Sequence, residues 1–211
     1  MSIKSFLFWM SKVNLLKTIY YSVKYGGKII VGKASVKVRG GKISFMDKKS
    51  KLYIGINYSY PVPCVLDIYN GELSVDGVVN LNRGCKIRVY NGGILSIGNN
   101  SYVNEGTKIY CAKEIIIGSN CAISFDTKIL DTNTHFIFRD GKLLNEDQSV
   151  NIGNNVWIGT NTIVLKGTTI ENNVIVGASS LVKGMLRSNL EYAGVPAKPQ
   201  KEFERWRYTR Y

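Results

Sequence analysis

A six-residue repeat between Ile152 and Val182 constrains the fold of this chain more than any other feature of its sequence. An aliphatic residue recurs at every sixth position, and the residue four positions after each is small or β-branched. A period of six fits neither a helix nor the strict alternation of a hairpin meander. It fits a coil of short strands in which each aliphatic side chain points inward and stacks on its equivalent about eighteen residues further on. The six aliphatic positions are Ile152, Ile158, Val164, Ile170, Val176 and Val182.

The same spacing continues toward the N-terminus, first over Ile97–Ile115 and then, after a two-residue slip, over Ile117–Ile129. Val75, Leu81 and Ile87 keep the spacing earlier still. The residues between the aliphatic positions are rich in Gly and Asn, which tolerate the positive φ angles of tight turns. The repeat therefore predicts an all-β solenoid of parallel strands over residues 28–185.

Two segments flank the predicted solenoid, and a third interrupts it. Residues 1–27 place apolar side chains at helical spacing opposite lysines, which predicts an amphipathic helix. This helix would either cap the open end of the solenoid or lie on a membrane surface. Residues 186–211 are predicted to form a loop followed by a basic, aromatic helix or tail. Residues 136–149 break the six-residue phase and are predicted to protrude as a loop.

Lysines interrupt the apolar N-terminal segment, and no small-residue cleavage site follows it. The segment therefore fits neither a membrane span nor a signal peptide. The four cysteines show no CxxC spacing, and the single histidine offers few partners for a metal site. We expect buried reduced thiols, no bound metal and a cytoplasmic location.

The net charge of +13, from 28 Lys and Arg against 15 Asp and Glu, is spread along the whole chain. Two interpretations stay open: a solvated basic surface, or attraction for an anionic partner. Such a partner could be a nucleotide cofactor, a nucleotide sugar, an acidic polysaccharide or a membrane face. No recognised nucleic-acid-binding module occurs, so we expect no nucleic-acid partner.

The stretch IGNNVWIGTNTIVLKGTTIENNVIVGASSLVKG, followed by AGVPAK, resembles the hexapeptide-repeat acyltransferases. The resemblance covers roughly Ile97 to Lys198 and is strongest to maltose and galactoside O-acetyltransferases and to the O-acetyltransferases of capsule and lipopolysaccharide biosynthesis. It implies a left-handed parallel β-helix, although ordinary parallel crossovers are right-handed. It also implies acetyl-CoA as co-substrate, direct transfer in a ternary complex, and a homotrimer with active sites between subunits.

His135, in DTNTHFIF, stands where this family has its catalytic histidine. A lone histidine is often structural, and His135 also falls six residues after Ile129, where the repeat would place a core residue. Imidazole titrates near neutrality, so it can take the proton from an attacking hydroxyl or amine. Asp131 and Asn133 are predicted to share a strand with His135. Asp131 would then orient or charge-stabilise the imidazole, or else be an ordinary polar turn residue.

Asn104 matches an asparagine that contacts acceptor or cofactor in the sugar acetyltransferases. The acidic residue that those enzymes place further along aligns with Ala112, beside Lys113, which argues against maltose or a galactoside as acceptor. The neighbours of Trp157 at positions 156 and 158 are predicted to point inward, so Trp157 is expected to face the cleft. The family resemblance makes Trp157 a wall of the active site.

The resemblance also implies a set of cofactor-binding positions. Four small residues correspond to positions beside the pantetheine arm of the cofactor, where a tiny side chain allows close approach. Three lysines correspond to cationic positions near its phosphates. The glycines could equally serve only to make turns, and any of the lysines could be solvated surface. The positions are Gly159, Thr160, Gly177, Ala178, Lys183, Lys198 and Lys201.

These features predict an acetyl-CoA-dependent O-acetyltransferase that modifies a sugar hydroxyl of a bacterial surface polysaccharide or its precursor. One alternative is N-acetylation of a nucleotide-linked amino sugar, which would use the same base and cofactor. An alternative of another class is a β-helix scaffold without catalytic activity. A γ-class carbonic anhydrase is excluded, because its metal needs three histidine ligands and this chain has one. Residues 1–27 and the basic surface also suggest peripheral association with the inner face of a membrane.

Overall fold

The computed structural model describes residues 11–56 and 61–207. In this part of the chain, one helix, α1 (Leu15–Tyr25), precedes a solenoid whose strands form three parallel sheets along its length. Sheet A contains, in spatial order, β1 (Lys28–Val31), β4 (Lys51–Ile54), β7 (Val78–Leu81), β10 (Ser101–Val103), β13 (Ala122–Ile123), β18 (Trp157–Ile158), β21 (Ile175–Val176), β24 (Leu190–Gly194) and β25 (Ala197–Glu202).

Sheets B and C complete the triangular cross-section of each coil. Sheet B contains β2 (Ala34–Arg39), β5 (Cys64–Tyr69), β8 (Lys86–Val89), β11 (Lys108–Cys111), β14 (Lys128–Leu130), β19 (Ile163–Val164) and β22 (Leu181–Val182). Sheet C contains β3 (Lys42–Phe45), β6 (Glu72–Val75), β9 (Ile94–Ile97), β12 (Glu114–Ile117), β17 (Val150–Ile152), β20 (Thr169–Ile170) and β23 (Met185–Leu186). Seven coils result, each passing from sheet A to sheet B and then to sheet C.

The core is the column of side chains that the six-residue repeat predicts. Every aliphatic position from Ile152 to Val182 is buried and pairs in register with its equivalent on the next coil. The residues four positions later, such as Val156 and Thr162, are buried as well. Asn residues at the corners adopt positive φ, as at Asn155 and Asn173. The strands are short because these corners recur at every sixth residue.

Helix α1 closes the N-terminal end of the solenoid. Asn14 caps it by accepting a hydrogen bond from the Lys17 backbone N–H at 3.0 Å, and Gly26 ends it in the left-handed conformation. Thr18 accepts from the N–H of Val31, and Ser22 both donates to and accepts from Ile29. These contacts satisfy the free edge of β1, which would otherwise be open to pairing with another chain. The other side-chain donors from this face, to carbonyls of β2, are Lys17 and Tyr21.

The apolar side of α1 points away from the solenoid. We call this the apolar stripe; it consists of Leu16, Ile19, Tyr20 and Val23, which are 82%, 61%, 56% and 79% exposed. The helix thus covers the end of the solenoid with its polar and tyrosine side chains and presents the stripe to solvent. The other apolar residues of the predicted helix, up to Met10, lie outside the described residues. Within the described residues, no helix is both long and apolar enough to cross a bilayer.

The C-terminal part differs from its predicted loop and helix. Strand β24 pairs in parallel with β21, and β25 turns back and pairs with β24 in antiparallel fashion. Up to residue 207 the chain continues without a helix. Tyr192 on β24 is buried, and its hydroxyl accepts a hydrogen bond from the Arg187 N–H at 2.7 Å. The hairpin extends sheet A beyond β21 and leaves β25 as its edge strand, an arrangement that residue spacing alone does not reveal.

Candidate active site

The segment that carries His135 leaves the solenoid at the corner between sheets B and C. Strand β14 ends at Leu130, and the next solenoid strand, β17, begins at Val150. Asp131 and Thr132 are still buried, whereas Asn133 and His135 are exposed. The prediction that Asp131, Asn133 and His135 share a strand is therefore wrong. The six-residue phase ends at this corner, so His135 does not enter the core.

Asp131 fixes the corner at which the chain leaves the coil. Its two carboxylate oxygens accept the backbone N–H groups of Ala112 and Lys113, each at 2.8 Å, on the coil below. Burial raises the pKa of the Asp131 carboxyl, and these two hydrogen bonds oppose that rise. In the described part of the chain, no hydrogen bond joins Asp131 to the His135 imidazole. The geometry thus corresponds to a turn residue and not to a partner of the base.

The loop after His135 is held in place by one asparagine. The Asn145 side chain donates to the His135 carbonyl oxygen at 2.7 Å and accepts from the Ile137 N–H at 2.7 Å. Lys166 on the next coil donates to the carbonyl oxygens of Asn145 and Glu146. Between these anchors the loop forms a small antiparallel hairpin of β15 (Phe138–Arg139) and β16 (Lys142–Leu143). Its exposed large apolar side chains are Phe136, Ile137, Phe138 and Leu144.

A second group of candidate residues lies on sheet A and on the corner between sheets A and B. Trp157 is 43% exposed, between the fully buried Val156 and Ile158, so its ring points outward as the sequence predicts. Its indole N–H donates to the Ser124 hydroxyl at 3.1 Å. Asn104 stands in the same corner column one coil before Ser124 and accepts a hydrogen bond from the Asn82 side chain at 2.7 Å.

Trp206, from the segment after β25, packs against Trp157. The two ring centroids are 6.0 Å apart with a tilt of 43° between the planes. The Trp206 indole N–H donates to the Asn155 carbonyl oxygen at 2.8 Å, which fixes the tail against sheet A. Two aromatic rings therefore form one surface outside the coil that follows the one carrying His135.

The four small candidate residues divide into two kinds. The N–H groups of Gly159 and Gly177 are used by the ladder, donating to Val176 and Tyr192. A Cβ atom on Gly159 would come within 2.6 Å of the Ala178 nitrogen, so the packing of the next coil requires glycine there. Thr160 and Ala178, in contrast, are exposed on the outside of the same corner. Of the four, these two are the positions that an extended ligand could reach.

The structure does not bring the three candidate lysines together within one chain. Lys183 lies at the B–C corner between β22 and β23 and is exposed. Lys198 and Lys201 lie on β25, at the far edge of sheet A. Lys201 already forms an ion pair with Glu191 at 3.3 Å.

One chain thus carries two separate half-sites. The first is at the B–C edge and includes Asn133, His135 and Lys183. The second is on sheet A and the A–B corner, where sheet B separates it from the first. Its residues are Asn104, Ser124, Trp157, Thr160, Ala178 and Trp206. Sequence reasoning missed Ser124, Asn145 and Trp206. Ser124 and Trp206 act through contacts between coils or with the tail, and Asn145 acts through the fold of its own loop, so residue spacing reveals none of them.

The four cysteines are the remaining side chains that could act as nucleophiles or metal ligands. All four cysteines are free and buried, which confirms the prediction of buried reduced thiols. Burial raises the pKa of Cys64 to about 12 and that of Cys121 to about 11. A buried neutral thiol is a poor nucleophile. Within residues 11–56 and 61–207, no cluster of His, Cys, Asp and Glu could hold a metal ion.

Comparison with known proteins gives several matches. Residues 149–184 match a family model described as bacterial transferase hexapeptide (six repeats). The protein named "Putative lipopolysaccharide biosynthesis O-acetyl transferase WbbJ", of Escherichia coli K12, is 32% identical over 145 residues, which cover 61% of this chain and 74% of WbbJ. Galactoside O-acetyltransferase of the same organism is 32% identical over 114 residues; the match covers 53% of this chain and 55% of the relative.

Two solved structures extend the comparison to the fold. The polysialic acid O-acetyltransferase OatWY superimposes with a TM-score of 0.63 at 25% identity, covering 88% of this chain and 92% of that one. AntD, an N-acyltransferase from Bacillus cereus crystallised with dTDP and coenzyme A, gives a TM-score of 0.54 at 19% identity, covering 85% of this chain and 83% of that one. At that identity the likeness to AntD shows the fold alone.

A solenoid of three parallel sheets with inward aliphatic columns, interrupted by one histidine-bearing loop, defines the class of acyltransferases built on a left-handed parallel β-helix. The predicted fold class is confirmed. The chain belongs to the hexapeptide-repeat acetyltransferases, as its match to most of the WbbJ sequence shows.

Proposed function

We propose that this protein transfers an acetyl group from acetyl-CoA to a hydroxyl of a bacterial surface polysaccharide or of its precursor. The observation that carries the proposal is the position of the chain's single histidine. His135 is exposed at the base of a loop, and Asn145 holds its backbone at 2.7 Å. An exposed imidazole that the core does not use is available as a general base. WbbJ, whose printed name refers to O-acetyl transfer in lipopolysaccharide biosynthesis, supports the acceptor class.

The chemical step follows from this base. His135 takes the proton of the acceptor hydroxyl as that oxygen attacks the thioester carbonyl carbon of acetyl-CoA. The tetrahedral intermediate then collapses, the carbon–sulfur bond breaks, and the departing sulfur of coenzyme A takes up the proton. The cysteines are buried with raised pKa values, so they do not supply a nucleophile for an acyl-enzyme. Direct transfer in a ternary complex needs none.

A complete site requires residues from two chains in this proposal. His135 and Trp157 lie on different edges of one solenoid, with sheet B between them. In a homotrimer, the B–C edge of one subunit would meet sheet A and the A–B corner of its neighbour. The loop after His135 exposes apolar residues that include Phe136 and Phe138. These residues fit such a contact, because exposed apolar patches on a protein surface mark sites of interaction.

We assign the cofactor to the second half-site. The pantetheine arm would run along the corner where Thr160 and Ala178 are exposed, with Trp157 as wall and Asn104 beside it. Nearby lysines would form ion pairs with the phosphates of the cofactor, since their positive charge favours this contact. Lys183 and Lys198 are the better candidates, since Lys201 is already ion-paired. In a trimer, Lys183 would come from the neighbouring subunit.

We place the enzyme in the cytoplasm, since four free thiols suit a reducing compartment. Peripheral association with the inner face of the membrane through residues 1–27 is part of the same proposal. The exposed apolar stripe of α1 supports it, with Lys24 beside Tyr20 of the stripe to attract anionic headgroups.

Acetyl-CoA binding by calorimetry tests the proposal without knowledge of the acceptor. We expect saturable binding to the wild type, and binding weakened by roughly tenfold in Lys183→Ala, because one charge contact to phosphate is lost. His135→Asn should bind acetyl-CoA as the wild type does and should lose about 10²-fold to 10⁴-fold in transfer rate.

Failure of the well-folded wild type to bind acetyl-CoA would contradict the proposal and favour the scaffold. An acceptor screen then separates the two enzymatic alternatives. Products that resist mild alkaline hydrolysis, as amides do and esters do not, would indicate N-acetylation of an amino sugar.

A further inference from the structure

Three lysines occupy equivalent outward positions on three successive strands of sheet B. Lys86 pairs in register with Lys108, and Lys108 pairs with Lys128. Neighbouring strands are about 4.8 Å apart, so the three Cα atoms span roughly 10 Å along the solenoid axis. We call these residues the basic row. Like charges directly opposite one another destabilise a sheet, so the row costs stability in the absence of an anion.

No carboxylate forms an ion pair with the row within the described residues. The ion pairs that the described chain forms lie elsewhere, and none includes Lys86, Lys108 or Lys128. The next outward positions on these three strands, two residues after the lysines, include Arg88 and contain no acidic residue. Asp67, in register with Arg88, is the carboxylate on the preceding coil, and it is already bonded to Arg39 at 2.9 Å.

The basic row ends on the coil that carries the proposed base. Lys128 is on β14, the strand that leads directly into the segment containing His135. On the following coils the same column becomes apolar, with Ile163 and Leu181. At the B–C corner of the first three coils, across sheet B from the start of the row, lies a shallow groove that Lys42 and Glu72 help to line. Its glycines are Gly40, Gly41, Gly71, Gly92 and Gly93.

The B–C corner on the coil before the His135 segment carries a further cation, Lys113, directly after Ala112. Asp131 holds the backbone of both at 2.8 Å, and the Lys113 side chain is exposed at the B–C corner. The carboxylate of Asp131 is buried, and both of its oxygens are used by these two backbone N–H groups.

We propose that the basic row binds a linear acidic polysaccharide and guides it along sheet B toward His135. This inference rests on the proposed transferase function and specifies its acceptor as a polymer with repeated anionic groups. Cations spaced evenly along one line fit a ligand whose charges recur along one line. A flat bilayer would need cations spread over a surface, and no nucleic-acid-binding module is present. The acceptor would thus be a polymer and not a single nucleotide-linked sugar.

The test uses polygalacturonate, which carries one carboxylate per sugar, and neutral dextran as the comparison polymer. Binding of each to the full-length protein is measured by calorimetry at low and at physiological salt. The variant Lys86→Gln/Lys108→Gln/Lys128→Gln is compared with Lys33→Gln/Lys48→Gln/Lys49→Gln. The second variant removes the same charge from exposed lysines at the other corners of the solenoid.

We expect the wild type and the control variant to bind polygalacturonate and not dextran. The row variant should bind it roughly tenfold more weakly and with a smaller dependence on salt, because three charge contacts are lost. The trisaccharide of galacturonate should bind more weakly than the long polymer. The control variant should unfold at the same temperature as the wild type. The row variant should unfold at the same or a slightly higher temperature, because it loses like charges that face one another.

Equal losses in both variants would overturn the proposal, because net charge and not the row would then account for binding. Loss of binding to phosphatidylserine vesicles in the row variant, with polygalacturonate binding unchanged, would also overturn it and assign the row to a membrane. Acetyl-CoA titration of the same proteins tests the transferase function separately. The control variant should bind acetyl-CoA as the wild type does. Because Lys108 and Lys128 begin the strands that follow the corner of Asn104 and Ser124, the row variant is titrated as well. Loss of its acetyl-CoA binding with polygalacturonate binding unchanged would assign the row to the cofactor and overturn the proposal.

Discussion

Replacing the apolar stripe of α1 should abolish membrane association without unfolding the protein. The substitution is Leu16→Gln/Ile19→Gln/Val23→Gln in the full chain. Complete burial of a Leu, Ile or Val side chain contributes about 1.5–3 kcal/mol. Since these three side chains are 82%, 61% and 79% exposed, most of that free energy is still available for insertion into a bilayer. Together they would contribute about 3–6 kcal/mol, which corresponds to roughly 10²-fold to 10⁴-fold in partitioning.

Folding should be almost unchanged by the same substitutions. The three side chains make none of the contacts that hold α1 on β1, which come from Thr18 and Ser22. Exposed substitutions of this kind usually change the free energy of unfolding by less than about 0.5 kcal/mol each. Glutamine also has a somewhat higher helix propensity than isoleucine or valine.

The assay is co-sedimentation with vesicles that contain anionic lipid, with thermal unfolding as the test of folding. The control variant, Met46→Gln/Ile94→Gln/Ile116→Gln, removes three exposed apolar side chains from the solenoid instead. We expect wild type and control to sediment with the vesicles and the stripe variant to stay in solution. If the stripe variant sediments as the wild type does, the stripe does not bind membrane. A change in its oligomeric state in solution would assign the stripe to contact between copies of the chain.

Three further predictions concern the candidate active site and the core. Asn145→Ala removes the side chain that holds the His135 carbonyl oxygen. The transfer rate should fall about tenfold, while the affinity for acetyl-CoA stays unchanged. A loss of acetyl-CoA binding would contradict a positioning role. Trp206→Ala should weaken acetyl-CoA binding by a few-fold and red-shift the tryptophan emission, because its ring covers one side of Trp157; unchanged binding would place the cofactor elsewhere. The four thiols should react with a thiol reagent at pH 8 only after unfolding. Burial raises the pKa of Cys64 to about 12, so this thiol ionises at a lower pH in the unfolded chain than in the folded one. The free energy of unfolding should therefore decrease as the pH rises above about 9. Fast labelling of the native protein would refute this reasoning.

Much of the fold could be read from residue spacing because a solenoid repeats the same local rule. Each aliphatic position six residues after the last meets the same neighbours one coil away, so a pattern in the chain becomes a column in space. The outward orientation of Trp157 follows from the same rule, since Val156 and Ile158 occupy the inward positions. The prediction that Asp131 shares a strand with His135 failed where this rule stops, because a side chain at a corner can bond to the coil below instead of along its own strand.

The sequence by itself determined that this chain forms a parallel solenoid with an aliphatic core, and that a single histidine interrupts the repeat. Only the tertiary structure decided which edge of the solenoid carries His135, which face of α1 is exposed, and how the C-terminal segment covers sheet A. It also decided that Lys86, Lys108 and Lys128 stand side by side, because unequal corner lengths separate them along the chain. The physical reason is that contacts between coils depend on strand register, and register is set by the packing of the whole stack.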